Sequence, residues 1–341
     1  MITKTIQNSF LFASLLFSHY ALATAYTPKD NDIITASHSL LKVELSIDEI
    51  ELLVLNSQNV GQTERLQGAL KVRLAKLYQQ APTLKVGYLY ARVLQKEHQF
   101  DEAIAIAEET LTIKPATKKQ QSNTHMLLSN MLMIKGEFSQ AKQHCTALIG
   151  SVSIMTTSTC VLDIRSQEGQ LKQSYNSLLK ITRNKEINDY TSQVLSEMAY
   201  RLKRYDDALL HLDNIQLNQS PVSLIALWAD IQLSLNNHQQ VLSSLGSLLN
   251  NIDDLEDSLL IRLAIAEKIT QNTTWQTLIK KRIALRELRQ DTFHASDLAK
   301  YYLEVEPNTS KAIYWATINL KQAKMSSDKQ LLVEAQLKGT E

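Results

Sequence analysis

Phe100-Asp101-Glu102-Ala103-Ile104 decides the fold, because its pattern comes back along the chain. An aromatic or apolar residue is followed by two polar residues and then by a small residue that opens an apolar helix. The pattern returns as Phe138-Ser139-Gln140-Ala141 after Gly136, and as Leu171-Lys172-Gln173-Ser174 after Gly169. It returns again as Tyr205-Asp206-Asp207-Ala208-Leu209, with a degraded copy at His238-Gln239-Gln240-Val241. The small-residue marks therefore stand at 103, 141, 174, 208 and 241, with gaps of 38, 33, 34 and 33. A fixed period of this length is the signature of a stacked repeat.

Twelve residues before the marks lie Ala91, Ser129, Leu162, Ser196 and Ala229. Around them run apolar faces at helical spacing, such as Val86, Tyr90, Leu94 and Leu195, Met198, Leu202. Each unit thus reads as helix, short turn, helix. Small residues at facing positions let the two axes approach, which a bulky side chain would prevent. Pro115 and Pro221 punctuate the joints between units.

Composition agrees. Of 341 residues only 8 are Gly and 5 are Pro, far below the roughly 7% and 5% of average usage. Sheets and tight turns draw on both, so a sandwich, barrel or loop-rich fold is disfavoured. The hydrophobic fraction of 44% supports an extended core. A net charge of +1 leaves no basic excess for nucleic acid.

The quoted residues resemble the tetratricopeptide repeat family. The period near 34, the Gly-x-aromatic turn, the paired small residues and the late Pro all have counterparts, and the unit from Tyr88 to Pro115 matches best. The resemblance covers residues 84–250 in about five repeats. Leu162 departs from the small-residue rule, and Val241 replaces the usual Ala. What it implies is an all-α, right-handed solenoid of antiparallel helix pairs, in which each repeat touches only its neighbours.

Outside the repeats, Ser46-Ile47-Asp48-Glu49 is a capping box opening a helix to about Leu55. Glu64 to Gln80 is amphipathic and stops before Pro82, so residues 46–83 read as N-terminal helices. Residues 251–341 read as degenerate helical repeats and a cap. Helices are expected at Asp253–Thr270, Thr274–Arg289, Asp297–Val305, Thr309–Gln322 and Asp328–Leu337, with Pro307 and Ser326-Ser327-Asp328 as breaks. Residues 1–25 have the form of a secretory signal: Lys4, an apolar run from Phe10 to Phe17, then Ala21-Leu22-Ala23 or Ala23-Thr24-Ala25 for cleavage. Residues 26–45 lack periodicity and are expected to form a mobile arm. The mature chain is expected to be soluble and exported, to the periplasm if bacterial, with no integral membrane segment. No Cys follows the cleavage site, so a lipid anchor there is not expected.

Export bears on Cys145 and Cys160, the only cysteines. Three readings stand: a disulfide, two buried thiols, or a metal or redox pair recruiting His144. The last fits no compact zinc pattern. Repeat register puts Cys145 in a second helix and Cys160 in the next first helix, at comparable height. A bridge there would staple two repeats.

Signatures of chemistry are missing. There is no Gly-rich phosphate loop, no His-Glu-x-x-His and no Gly-x-Ser-x-Gly elbow. The eight His are dispersed. The pairs Glu108-Glu109, Asp206-Asp207 and Asp253-Asp254 suit helix starts or solvated faces, and Trp228, Trp275 and Trp315 suit the core. No enzyme and no cofactor is predicted. In the resembled family the first helix of each pair lines a concave groove that holds partner peptides. By register the groove-facing residues are Tyr88, Arg92 and Lys96, then Met126, Asn130 and Met133, then Asp163 and Gln167, then Glu197, Tyr200 and Asp230. The groove would run from basic to acidic. The Lys and Asn set of the family's carboxylate clamp does not appear together. The expectation is a non-enzymatic scaffold or adaptor of the bacterial envelope that binds a protein or peptide partner. The alternatives are a pilotin-like envelope assembly factor, or an enzyme acting on the cell wall.

Overall fold

Each repeat mark coincides with one recurring turn. Five residues before it the backbone is left-handed: His98, Gly136, Gly169, Lys203 and Asn236 all have positive φ. One residue later an N–H reaches back to the carbonyl five residues earlier, Gln99 to Leu94, Glu137 to Leu132, Arg204 to Ala199 and Asn237 to Gln232, at 2.8–3.0 Å. This bond and the left-handed residue are the helix stop that satisfies otherwise orphaned carbonyls. The chain then re-enters a helix, with the mark on its inner side.

The computed structural model describes residues 45–61, 67–248 and 255–339, which belong to one compact unit. The expected signal, the arm up to residue 44 and Asp253-Asp254 lie outside the described residues. A capped helix α1 (Ile47–Asn56) and α2 (Gln67–Gln80) come first. Pairs follow: α3 (Leu84–Lys96) with α4 (Phe100–Thr112), and α5 (Lys118–Lys135) with α6 (Phe138–Ala147). Next are α7 (Ile154–Arg165) with α8 (Leu171–Thr182), and α9 (Asp189–Arg201) with α10 (Tyr205–Leu210). Then come α11 (Val222–Ser234) with α12 (His238–Ser247), and α13 (Asp257–Glu267) with α14 (Thr274–Leu288). The chain closes with α15 (Ala295–Glu304), α16 (Thr309–Gln322) and α17 (Ser326–Leu337). From α2 to α14 each helix packs on the next, as do α15, α16 and α17, while α1 packs on α3 and α15 on α13; among the described residues there is no strand, only one isolated bridge between Asn59 and Pro221.

The sites read as close contacts are buried: Ala91, Ser129, Leu162, Ser196 and Ala229 on first helices, and Ala103, Ala141, Ser174, Ala208 and Val241 on second ones. The Ser196 hydroxyl donates to the Ala208 carbonyl at 2.8 Å, so two such sites touch directly. Near the start of α3, Gly87 sits against Thr110 at the end of α4, which makes this pair antiparallel. Trp228 and Trp315 are buried and Trp275 packs partly buried on the same apolar cluster.

Several boundaries differ from expectation. The helix expected from Asp253 begins at Asp257 among the described residues. That expected from Asp297 begins at Ala295, because Asp291 accepts the N–H groups of Phe293 and His294 and turns the chain early. Ser326 and Ser327 do not break a helix: they open α17, where Asp328 accepts the Met325 N–H at 2.9 Å. Helix α2 is described from Gln67, and its expected start at Glu64 lies outside the described residues.

Contact is not confined to neighbouring units. Buried apolar side chains form one cluster from Ile50 to Ile164 and another from Leu162 to Ala335, yet Met325 packs on the first. The Lys324 N–H donates to the Ile134 carbonyl at 2.7 Å. Ser326 donates both its N–H and its hydroxyl to Gln167 Oε1, at 3.0 and 2.7 Å and 159 residues away. Near the N-terminus, Gln58 accepts from the Val222 N–H, and the Gly61 N–H donates to Glu256. The expectation of neighbour-only packing is thereby corrected. The N-terminal turn and the C-terminal helices both reach across to the repeats.

Candidate functional site

Three successive first helices, α3, α5 and α7, build a cavity of about 280 Å³, with Tyr190 of α9 closing one side. Tyr88, Arg92 and Gln95 reach it from α3 at spacings of four and three, one face of a helix. Met126, Asn130 and Met133 reach it from α5 by the same period. The floor is buried: Leu127, Met133, Ile164, Ser129 and Cys160. The rim is more open, with Asn123 and Asn130 exposed and Arg92, Gln95 and Tyr88 half-buried.

A chain of hydrogen bonds shapes that rim. Arg92 donates to Gln95 Oε1 at 3.2 Å, and Gln95 donates to Asn130 Oδ1 at 2.8 Å. Beneath it lies the disulfide. Cys145 and Cys160 are bonded, with Cα atoms 5.7 Å apart, inside the span a bridge requires. Ser129 Oγ lies 3.0 Å from one sulfur and 3.1 Å from the other. The bridge ties α6 to α7 and fixes the floor.

Asp163 is the unusual group. The residue is only 7% exposed, it lines the cavity, and its carboxyl has no hydrogen bond or ion pair to any described residue. Burial pushes its carboxyl well above the usual range and nearby Glu197 adds to this, against the pull of Arg201. Burial also raises Glu197, with Arg201 and a Gln167 hydrogen bond opposing. Tyr190 is raised by burial and then by Asp163 and Glu197. Arg201 donates to the Ser166 hydroxyl and carbonyl, each at 2.8 Å, and forms no ion pair with either acid. The acids therefore face a cation without contacting it.

The eleven residues read as groove-facing divide into two sets. Tyr88, Arg92, Met126, Asn130, Met133 and Asp163 meet around the cavity. The others are engaged by the chain itself. Lys96 donates to the Ser57 carbonyl. Gln167 holds Ser326 and reaches Glu197 at 3.3 Å. Tyr200 packs on Tyr205 with ring centroids 5.6 Å apart. Asp230 binds Arg262 at 2.5 Å and Lys300 at 2.7 Å. Burial works to raise the Asp230 carboxyl, but these two cations hold it below its ordinary range. The acidic end of the expected gradient is thus neutralised internally.

Gln95 and Asn123 were not foreseen in the cavity, although each lies three residues from a foreseen member of its helix. Tyr190 had no such signal. The dispersed histidines also come together: His125 and His144 share a hydrogen bond at 2.9 Å between Nδ1 atoms, and His98 meets His294 edge-on with centroids 5.5 Å apart. Burial lowers His98 and His144, each to about 4. Among the described residues no group of three or more His, Cys, Asp or Glu is placed to hold a metal, and no helix is long and apolar enough to cross a membrane. The chain matches no known family model and no curated protein.

Proposed function

We propose that this protein is a non-enzymatic interaction scaffold, exported to the bacterial envelope, that holds a partner polypeptide against the inner faces of α3, α5 and α7. The observation that carries the reading is the meeting of Tyr88, Arg92, Met126, Asn130, Met133 and Asp163 around one cavity, a set chosen by repeat register. A cavity with an apolar floor and a few polar groups at its rim has the form of a binding site. The lower half of the expected groove is taken by contacts to Ser326, Arg262 and Lys300. Partner contact is therefore assigned to the N-terminal half. The disulfide is in keeping with an oxidising compartment.

The test is site-specific photocrosslinking in the native envelope. A benzophenone side chain at Asn130 should give discrete adducts that Arg92→Glu abolishes, and one at exposed Glu108 of α4 should not. The same adducts from both positions would overturn the reading. So would turnover of cell-wall fragments abolished by a single Glu→Gln change.

A further inference from the structure

We infer that the cavity takes a lysine side chain of the partner segment, its ammonium set on Asp163 and its methylene stem lying between Met126 and Met133; the inference rests on the scaffold reading above. A carboxylate that is nine-tenths buried without a partner is costly unless something pairs it. Asp163 is such a carboxylate among the described residues, and it lines a cavity. The complementary ligand group is a cation.

The walls narrow the choice. Met126, Met133, Leu127 and Ile164 line the cavity together with Asp163, and their apolar side chains suit an unbranched hydrocarbon stem. At about 280 Å³ the cavity falls at the foot of the roughly 300–1,000 Å³ range of small-ligand sites. One long side chain fits, whereas a helix of about 10–12 Å diameter does not. A flexible four-carbon stem ending in a compact ammonium suits apolar walls with one lining carboxylate, whereas the five donors of a guanidinium would leave most of their hydrogen bonds unmade there. Arg92 stands at the rim and has no carboxylate partner among the described residues. It disfavours a second cation there and favours an acidic residue beside the lysine. The exposed amide of Asn123 and the amide nitrogen of Asn130 remain for the main chain of the segment.

The test uses the full mature chain carrying methyl-labelled methionine, with N-acetyl-lysine methylamide as probe. Its addition should shift the Met126 and Met133 methyl resonances and leave the other methionines unmoved. The norleucine analogue, which lacks only the ammonium, should bind at least tenfold more weakly. Acetyl-Glu-Lys amide should bind more tightly than the single residue, and Arg92→Glu should reverse that order. Asp163→Asn should erase the preference for lysine over norleucine while the remaining methyl spectrum reports an intact fold. Equal binding of lysine and norleucine probes, or a preference that survives Asp163→Asn, would overturn the inference; crosslinks from Asn130 would then still support the scaffold. If n-pentylamine binds as well as the lysine amide and Asn130 yields no adducts, the site belongs to free amines and the partner assignment falls.

Discussion

At the scale of single residues, burial and charge make Asp163 expensive to keep. Its carboxyl is raised by burial and by Glu197, against Arg201, with Tyr88, Tyr190 and Arg92 the other ionisable groups lining the cavity. In the unfolded chain an Asp titrates near about 3.9. A raised folded value means that the stability from this group is fully present below that pH and is lost as pH climbs toward the folded value. Asp163→Asn should therefore melt above the parent at pH 8, with the difference closing toward pH 4. A difference that does not change with pH would refute the assignment. Gly87 offers the opposite case. A Cβ built there falls 1.9 Å from Thr110 Oγ1, and Thr110 is fully buried. Gly87→Ala should cost about 1–3 kcal/mol, the range for forcing extra volume into a packed core, read as a lower urea midpoint.

At the scale of elements, the recurring turn separates the requirement from the residue that meets it. All five hairpins place a left-handed residue at the same point, but only Gly136 and Gly169 are glycines. A side chain in that conformation costs roughly 1–2 kcal/mol, less for Asn. Lys203 is exposed, so its replacement disturbs no packing. Lys203→Gly should stabilise by up to about 1 kcal/mol once the entropy of glycine is subtracted, and Asn236→Gly by less; thermal melts of the two variants check the order. The disulfide acts at this scale too, joining α6 to α7 across a separation of 15 residues. Closing a loop of that length is worth about 3 kcal/mol in the chain-entropy model. Reduction should lower the melting temperature, and thiol titration should find no free thiol before reductant and two after.

At the scale of the whole unit, long-range polar contacts decide which parts of the inner face stay open. Asp230 of α11 joins Arg262 of α13 and Lys300 of α15, 70 residues away, through side chains only 11–26% exposed. Removing one member of such a group leaves buried charge uncompensated, which typically costs about 3–5 kcal/mol. Asp230→Ala should show that loss in chemical denaturation, and Asp230→Asn a smaller one, since the amide still accepts a hydrogen bond. A loss no larger than for a surface charge would show that the contact does not hold these helices together.

Helix pairing was legible because its cause is local. The marks at 103, 141, 174, 208 and 241 recur with the turn that demands them, and burial of ten facing positions follows from helix geometry. Six of the eleven residues read as groove-facing line one cavity, because register along a helix is periodic. The pairing of Cys145 with Cys160 could be favoured over its alternatives for the same reason. Three things were decided only in the tertiary structure. Gln167 bonds Ser326 across 159 residues, Asp230 is covered by two cations, and Asp163 is buried with no hydrogen bond or ion pair among the described residues. No repeat period encodes these contacts, because they depend on where α15 and α17 return to the stack. Local sequence thus determined the helices and the faces they present, and the packing of segments far apart in the chain determined which of those faces it covered.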